Sequence, residues 1–334
     1  MSGNISRRMF LKAGVTAAGA LALSNLIGSK AWAASAKSPA EVFFTDDISV
    51  DGLLKIYNRI NRNISGKTAI KLHTGEPKGP NLLPIDLIKG LQATVPDSNI
   101  VECNVLYGGP RGSTKSHLET VKTNGFNFCP VDIMDADGEL SLPIPGLKEF
   151  LADPANQGRF APGNHLSEVA VGRNITKYNS MIVYTHFKGH SMGGFGGALK
   201  NISIGCASGR GGKRQIHGSG WPTGELFLER MVEGGLAITS HFGPRIVYLN
   251  VLKNISVDCD CESHPAKPTC PDIGIVGSTD ILAVDQASVD LVYALPESER
   301  RDMVKRIESR KGLHQLEYMK ALNMGSDQYQ LIKI

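Results

Sequence analysis

What this 334-residue chain lacks bounds its function first. It has no large excess of one charge, with 36 basic against 32 acidic side chains. Four of the basic residues, Arg7, Arg8, Lys12 and Lys30, fall within residues 1–33, which hold no acid. Taking those four from 36 leaves 32 against 32. A nucleic-acid partner would need a basic face, so none is expected. There is no Gly-X-Y period despite 37 glycines, and no internal repeat or Pro/Ser-rich linker, so the composition is that of a globular chain. No segment beyond the N-terminus is apolar for the ~20 residues that a membrane-spanning helix requires. No Gly-Lys-Ser/Thr closes a phosphate loop, no dinucleotide fingerprint has the right spacing, and no Cys-x2-Cys-x2-Cys run marks a ferredoxin module.

What is present begins with an export signal. "SRRMFLK" pairs Arg7 with Arg8 ahead of Phe10, Leu11 and Lys12. The apolar stretch 13–27 follows, then "AWAAS". The pattern predicts a twin-arginine signal over 1–33 with cleavage after Ala33, hence recognition by the twin-arginine export machinery and a periplasmic or otherwise extracytoplasmic protein with no transmembrane segment once mature. Because that route carries folded passengers, a cofactor inserted before export is a natural expectation.

Residues 34–64 are read as a loose leader, to about 50, followed by a first helix whose Leu53, Leu54, Tyr57, Ile60 and Ile64 recur at helical spacing. From 65 to 325, strands such as "KTAIKLHTG", "NIVECNVLY", "SMIVYTHF", "RIVYLNVL" and "DIGIVGS" alternate with helices such as "PIDLIKGLQATV", "STKSHLETVKTNG" and "TDILAVDQASVDLVYAL". The expected class is α/β: a mixed, partly parallel sheet with helices on both faces, in one body or two lobes. Sites in such sheets lie in the loops beyond the strand ends. That rule selects the segments after "AIKLH", "CNVLY", "IVYTHF" and "RIVYLNVL".

The segment after "IVYTHF" is the richest. "HFKGHSMGGFGGALKN" brings His186, Lys188, His190 and Lys200 together with Gly193, Gly194, Gly196 and Gly197, and "GCASGRGGKRQIH" then adds Arg210, Lys213, Arg214 and His217. Glycines let the backbone approach a ligand, and bare amides beside cations make an anion nest. The expected pocket is lined by these histidines, lysines and glycines. His190, His186 and Lys188 are the candidate catalytic groups, and Lys200 is the anchor, with an amine that desolvation would push down in pKa. A second cluster, "DCDCESHPAKPTCPD", sets Cys259, Cys261 and Cys270 among acids and His264. With Cys206 these thiols can hold zinc or an iron–sulfur cluster, and a disulfide such as Cys261–Cys270 remains the alternative. "HTGEPKGPNLLP" places His73, Glu76 and Lys78 in a Gly/Pro loop that can close over a substrate carboxylate or serve as a plain turn. Asp280 reads as a helix cap, Asp285 is left open, and His165, His241 and His314 read as structural histidines.

Three blocks resemble the domain of unknown function 362 family: "GRNITKYNSMIVYTHFKGHSMGGFGGALKNISIGCAS", "YLNVLKNISVDCDC" and "CPDIGIVGSTDILAVDQASVDLV". The resemblance runs over roughly 65–325. Many relatives carry a ferredoxin-like insertion, and this chain is similar to members without it. A second resemblance is to the N-terminal domain of the nickel-pincer lactate racemases, which share a His, a glycine-rich turn, a Lys ten residues on and a later His. By position it implies Lys200 as the tether of a nickel-pincer-like cofactor, His217 as a nickel ligand and His190 as an acid/base. "GGPRGSTKSHLET" matches that family at Arg111, while Pro110 stands where the family has a histidine and removes one of the two racemase bases. The combined expectation is a cofactor- or metal-dependent enzyme, an oxidoreductase or isomerase moving hydride or protons on a small acid. A metal or iron–sulfur carrier and a periplasmic binding protein for a small anion are the alternatives.

Overall fold

The computed structural model describes residues 39–334, which form one compact unit. The export signal expected over 1–33 lies outside the described residues.

The strands are β1 (Ala40–Thr45), β2 (Thr68–Lys71), β3 (Ser98–Glu102), β4 (Val131–Ile133), β5 (Glu139–Pro143), β6 (Glu168–Gly172), β7 (Ser180–His186), β8 (Lys188–His190), β9 (Gly194–Gly196), β10 (Ile246–Leu252), β11 (Gly274–Ser278) and β12 (Tyr329–Lys333). The helices are α1 (Val50–Ile60), α2 (Ile85–Ala93), α3 (Thr114–Thr123), α4 (Leu147–Ala152), α5 (Ala198–Cys206), α6 (Gly212–His217), α7 (Glu225–Phe242), α8 (Ile281–Ala294), α9 (Glu297–Ser309) and α10 (His314–Ala321).

Eight strands make the main sheet, in the order β12-β1-β11-β10-β7-β2-β3-β4. The pairs β10–β7, β7–β2, β2–β3 and β3–β4 are all parallel, and only β11 runs against its neighbours. Every residue of β2, β7 and β10 is buried, as expected for parallel strands covered on both faces. One apolar cluster packs Leu53, Ile56, Leu87 and Leu91 of α1 and α2 on Ile70, Ile100, Ile182 and Leu249. The other packs Leu199, Ile202, Met231 and Leu282 of α5, α7 and α8 on Ala69, Val101, Met181 and Val183. The mixed sheet with helices on both faces is therefore the observed fold.

Several local readings change. The stretch read as a loose leader to residue 50 contains β1, which sits inside the sheet between β11 and β12. Strand β6 pairs with β5 in a separate two-stranded sheet, not the main one. The glycine-rich segment is a tight hairpin, β8–β9, that runs into helix α5. Helix α5 shows no amphipathic period because seven of its nine residues are buried, Lys200 and Asn201 included. Asp280 caps α8, accepting from the Ala283 amide, as read. Asp285 proves to be a tertiary cap for α5. Its carboxylate oxygens accept from the amides of Ala198 (2.7 Å) and Leu199 (2.9 Å) and from Asn250 Nδ2 (2.8 Å).

From β2 the chain proceeds to β3 and β4 on one side, while β7 and β10 extend the sheet on the other. The β2/β7 junction is thus a switch point, and the loops leaving the carboxyl ends of β2, β3, β7 and β10 all open over it.

Candidate functional site

A cavity of about 310 Å3 lies over that junction. Each of the four selected loops contributes: His73 beyond β2, Cys103, Val105, Leu106, Tyr107 and Arg111 beyond β3, His190 and Lys200 beyond β7, and Cys261 and Glu262 beyond β10, while Lys71 and Glu102 project from the last positions of β2 and β3. Helix α6 and the turn after it add Lys213, His217 and Trp221.

Three groups converge at one side of the cavity, and two of them, His73 and Cys261, line it. A ring nitrogen of His73 and the Sγ atoms of Cys259 and Cys261 all lie within 4.8 Å of one another. Cys259 is buried, and the other two are half-buried. The Cys259 thiol is held well below its ordinary value. Donation by the Cys261 thiol contributes most, and Lys200, Lys188 and His73 outweigh the opposing effect of burial. The Cys261 thiol, which supplies that proton, is pushed up. Lys200 Nζ stands 3.3 Å from Cys259 Sγ. Burial would lower the Lys200 amine, but the Cys259 and Cys261 sulfurs reverse the sign and raise it. The lysine is therefore an ammonium paired with a thiolate. The shift is opposite in sign to the one expected from desolvation alone.

The loop carrying the thiols is fixed from beneath. Asp260, between them in sequence, takes His186 Nδ1 at 2.9 Å and Lys188 Nζ at 3.0 Å, with all three side chains buried. His186 Nε2 is bonded to the Lys253 carbonyl at 2.8 Å, and Lys188 also donates to the His186 carbonyl at 2.8 Å. Neither His186 nor Lys188 lines the cavity. Their chemistry is spent on positioning Asp260, so the structure does not place them as catalytic groups.

His190 does line it, but as a donor. Its Nδ1 accepts the Gly193 amide at 2.9 Å and the Met192 amide at 3.3 Å. Burial, then the nearby Lys200 charge, lower its pKa to about 3. A neutral ring whose Nδ1 is taken carries its proton on Nε2 and has no lone pair left with which to act as a base. His217 is neutral as well, lowered to about 4 by burial and then by Lys200 and Lys213. Its ring is stacked on Phe227 and tilted against Trp221, and among the described residues its buried Nδ1 has no hydrogen-bond partner. It lies outside the thiol cluster.

The glycines serve the protein's own packing. Gly194 has φ +80°, and a Cβ there would stand 2.8 Å from the Gly312 Cα. At Gly197 it would meet an Asp285 oxygen at 2.4 Å. Gly193 and Gly196 have ordinary contact distances to His190 and Lys200. The expected anion nest downstream is closed too. The Gly209 amide donates to Asp135 (2.8 Å), and the Gly211 and Gly212 amides donate to Ser208 Oγ (3.2 and 2.9 Å).

Cys206 and Cys270 stand apart from the cluster. Both are buried thiols pushed up by burial, Cys206 to about 12 and Cys270 to about 11, and all six cysteines are free. No Cys261–Cys270 disulfide is present. Two thiols and one imidazole are one ligand short of the four, all Cys or two Cys with two His, that an iron–sulfur cluster takes.

Three groups on the cavity wall that were not selected from sequence, Lys71, Glu102 and Tyr107, carry much of its electrostatics together with Arg111. Lys71 and Glu102 form a buried ion pair at 3.0 Å, and Glu102 also accepts from the Thr74 amide at 2.8 Å. Arg111 is held by Glu76 at 2.7 Å and donates to the Tyr107 hydroxyl at 2.5 Å. The side chain of Lys71 passes over Gly205, where a Cβ would come within 2.1 Å of its Cε. Alternating burial in "AIKLH" would have flagged Lys71 only if the strand had been known to be covered on both faces.

No curated protein matches the chain. Among solved structures it is similar to the lactate racemase apoprotein from Thermoanaerobacterium thermosaccharolyticum, with 12% identity, TM-score 0.40, and 76% of this chain aligned to 57% of that one. It is also similar to a structural-genomics target protein from Thermotoga maritima, with 12% identity, TM-score 0.39, and 80% of this chain aligned to 60% of that one. The chain spans less than two thirds of either protein, and at these scores neither lends its chemistry to this one. The profile described as "Domain of unknown function (DUF362)" matches residues 68–290. That match covers about two thirds of the sequence and the loops that build the cavity, and the protein belongs to the DUF362 family.

Proposed function

We propose that the protein is an exported, metal-dependent enzyme that acts on a small organic acid, with His73, Cys259 and Cys261 as the metal ligands. The observation that carries the reading is the convergence of one imidazole and two thiols, with His73 and Cys261 on the wall of a cation-lined cavity and Cys259 buried beside them. Two sulfurs and one nitrogen suit zinc or another thiophilic divalent ion, and three protein ligands leave a position open to substrate, as catalytic sites do.

The donors fit with two adjustments: Cys261, whose thiol donates to Cys259 in the free site, would release its proton to ligate as a thiolate, and His73 would change tautomer. His73 Nδ1 accepts the Gly75 amide at 2.9 Å, so the free ring donates from Nε2 to Cys259. To hold a metal through Nε2, His73 would carry its proton on Nδ1 and lose the Gly75 bond. The cost is about 1 kcal/mol, against the roughly 10 kcal/mol or more that a thiolate site gains from zinc. A bound ion would supply a Lewis acid at the open position. The chain's own groups do the rest. Lys200 holds positive charge beside the Cys259 sulfur, His190 has Nε2–H free to donate to a ligand, and Val105, Leu106, Met192 and Ile204 limit water.

The test is reconstitution with cobalt(II), whose sulfur-to-metal charge-transfer bands report thiolate ligation without any substrate. One equivalent should bind with strong near-ultraviolet absorption, and Cys259→Ser, Cys261→Ser or His73→Ala should each weaken binding at least tenfold. A chain that takes up no cobalt or zinc while both thiols alkylate freely would sink the proposal.

A further inference from the structure

The cavity's cations are nearly all matched. Lys71 pairs with Glu102, Arg111 with Glu76, and Lys200 with the Cys259 sulfur. Lys213 is the exception. It is buried, lines the cavity, and among the described residues has no carboxylate at salt-bridge distance. Its one hydrogen bond is to the Ala207 carbonyl, at 2.5 Å. One helical turn further along α6, His217 also lines the cavity, and among the described residues its buried Nδ1 has no hydrogen-bond partner. A buried ammonium is stable only when an opposite charge meets it.

Resting on the reading of this cavity as the site for a small acid, we propose that Lys213 is the seat of the substrate's carboxylate. The ligand is a short-chain carboxylic acid, with its carboxylate on Lys213, its carbon chain along Ile204, Val105 and Leu106, and its reactive end toward the His73–Cys259–Cys261 wall.

The class follows from the donors. A phosphate is held by several amides at once, yet the amides of Gly209, Gly211 and Gly212 beside Lys213 are already bonded within the protein. One ammonium and a nearby imidazole satisfy a carboxylate. The apolar wall excludes an ion without a carbon chain. In the empty site, burial lowers the Lys213 amine, and Cys103, Asp135 and Glu102 only partly oppose it. A bound carboxylate supplies the missing counter-charge.

The experiment is calorimetric titration of the whole protein with sodium pyruvate, performed on zinc-loaded and on chelator-treated samples, for wild type, Lys213→Met and Lys213→Arg. Wild type should bind in both states. Lys213→Met should bind about 10- to 100-fold more weakly, the loss of one charge-assisted hydrogen bond, and Lys213→Arg should recover part of it. Zinc uptake should be the same in all three. Acylation mapping of wild type is an independent readout, in which pyruvate should shield Lys213. Equal binding by wild type and Lys213→Met overturns the assignment. So do wild-type binding of inorganic phosphate as tight as pyruvate, and absence of any binding by pyruvate, butyrate or succinate. If chelation abolishes pyruvate binding while Lys213→Met does not, the metal holds the acid and Lys213 fails, although the metal reading stands. If no metal binds but Lys213→Met still loses pyruvate, the metal reading fails and Lys213 stands.

Discussion

Replacing Asp260 by Ala removes the one carboxylate that His186 and Lys188 share. In the wild type, Lys188 Nζ lies 3.0 Å and His186 Nδ1 2.9 Å from Asp260 Oδ2, and Lys188 keeps only the His186 carbonyl as another partner. The variant therefore leaves an ammonium, with a side chain 5% exposed, without a counter-charge. Breaking a buried pair from one side costs about 3–5 kcal/mol. At roughly 2 °C per kcal/mol for a domain of this size, the melting temperature should fall by about 6–10 °C. The double variant Asp260→Ala, Lys188→Met removes the stranded charge and should regain part of the loss, a coupling of about 1–3 kcal/mol in a double-mutant cycle. Because Asp260 sits between the two thiols, cobalt affinity should also fall about 10- to 100-fold, as when an outer-shell partner of a metal ligand is lost. Thermal and urea unfolding at pH 7 read the first effect, and cobalt titration reads the second. An Asp260→Ala protein that melts within 2 °C of wild type and binds cobalt normally would refute the positioning role given to Asp260, His186 and Lys188.

Two further outcomes are expected. His165 is raised in pKa chiefly by its bond to Glu233, and His314 is raised because Glu229 outweighs the opposing effect of burial. The stability they add is complete below the ordinary histidine value near 6.5 and is lost as pH rises through their higher folded values. The unfolding free-energy gap between wild type and a His165→Asn, His314→Asn variant should therefore shrink from pH 6 to pH 9, and a gap that is constant or widens would contradict the assignment. Replacing both Arg7 and Arg8 by Lys should leave unprocessed chain in the cytoplasm; normal export of that variant, measured by fractionation, would remove the twin-arginine reading.

The legible part of the sequence was whatever depends on period and chain order. Alternating apolar strands and amphipathic helices gave the class, and the rule that sites follow strand ends selected all four loops that build the cavity. Of the pocket expected from sequence, His190, Lys200 and His217 line the cavity while His186, Lys188, Gly193, Gly194, Gly196 and Gly197 do not; Arg111 and Cys261 line it too, and Cys259 joins His73 and Cys261 in the thiol cluster. Helix α5 was missed because a helix buried on every side has no polar face and so no period. Strand β1 was missed because its partners, β11 and β12, lie more than 200 residues away.

Roles were another matter, because a side chain's role depends on what stands opposite it. The sequence by itself determined that histidines, lysines and thiols would gather at one end of a parallel sheet, since chain direction and strand order dictate that. Only the tertiary structure decided their chemistry. Asp260 turned His186 and Lys188 into supports, and backbone amides on Nδ1 turned His190 from a base into a donor. The Cys259 thiolate raised the Lys200 amine that burial alone would have lowered. His73 joined the thiols from 186 residues away, while Cys270, nine residues from Cys261, was drawn into the apolar core. Proximity along the chain fixes which groups can meet cheaply. Charge state and ligand sets follow from distances of about 3 Å, which only the packed fold sets.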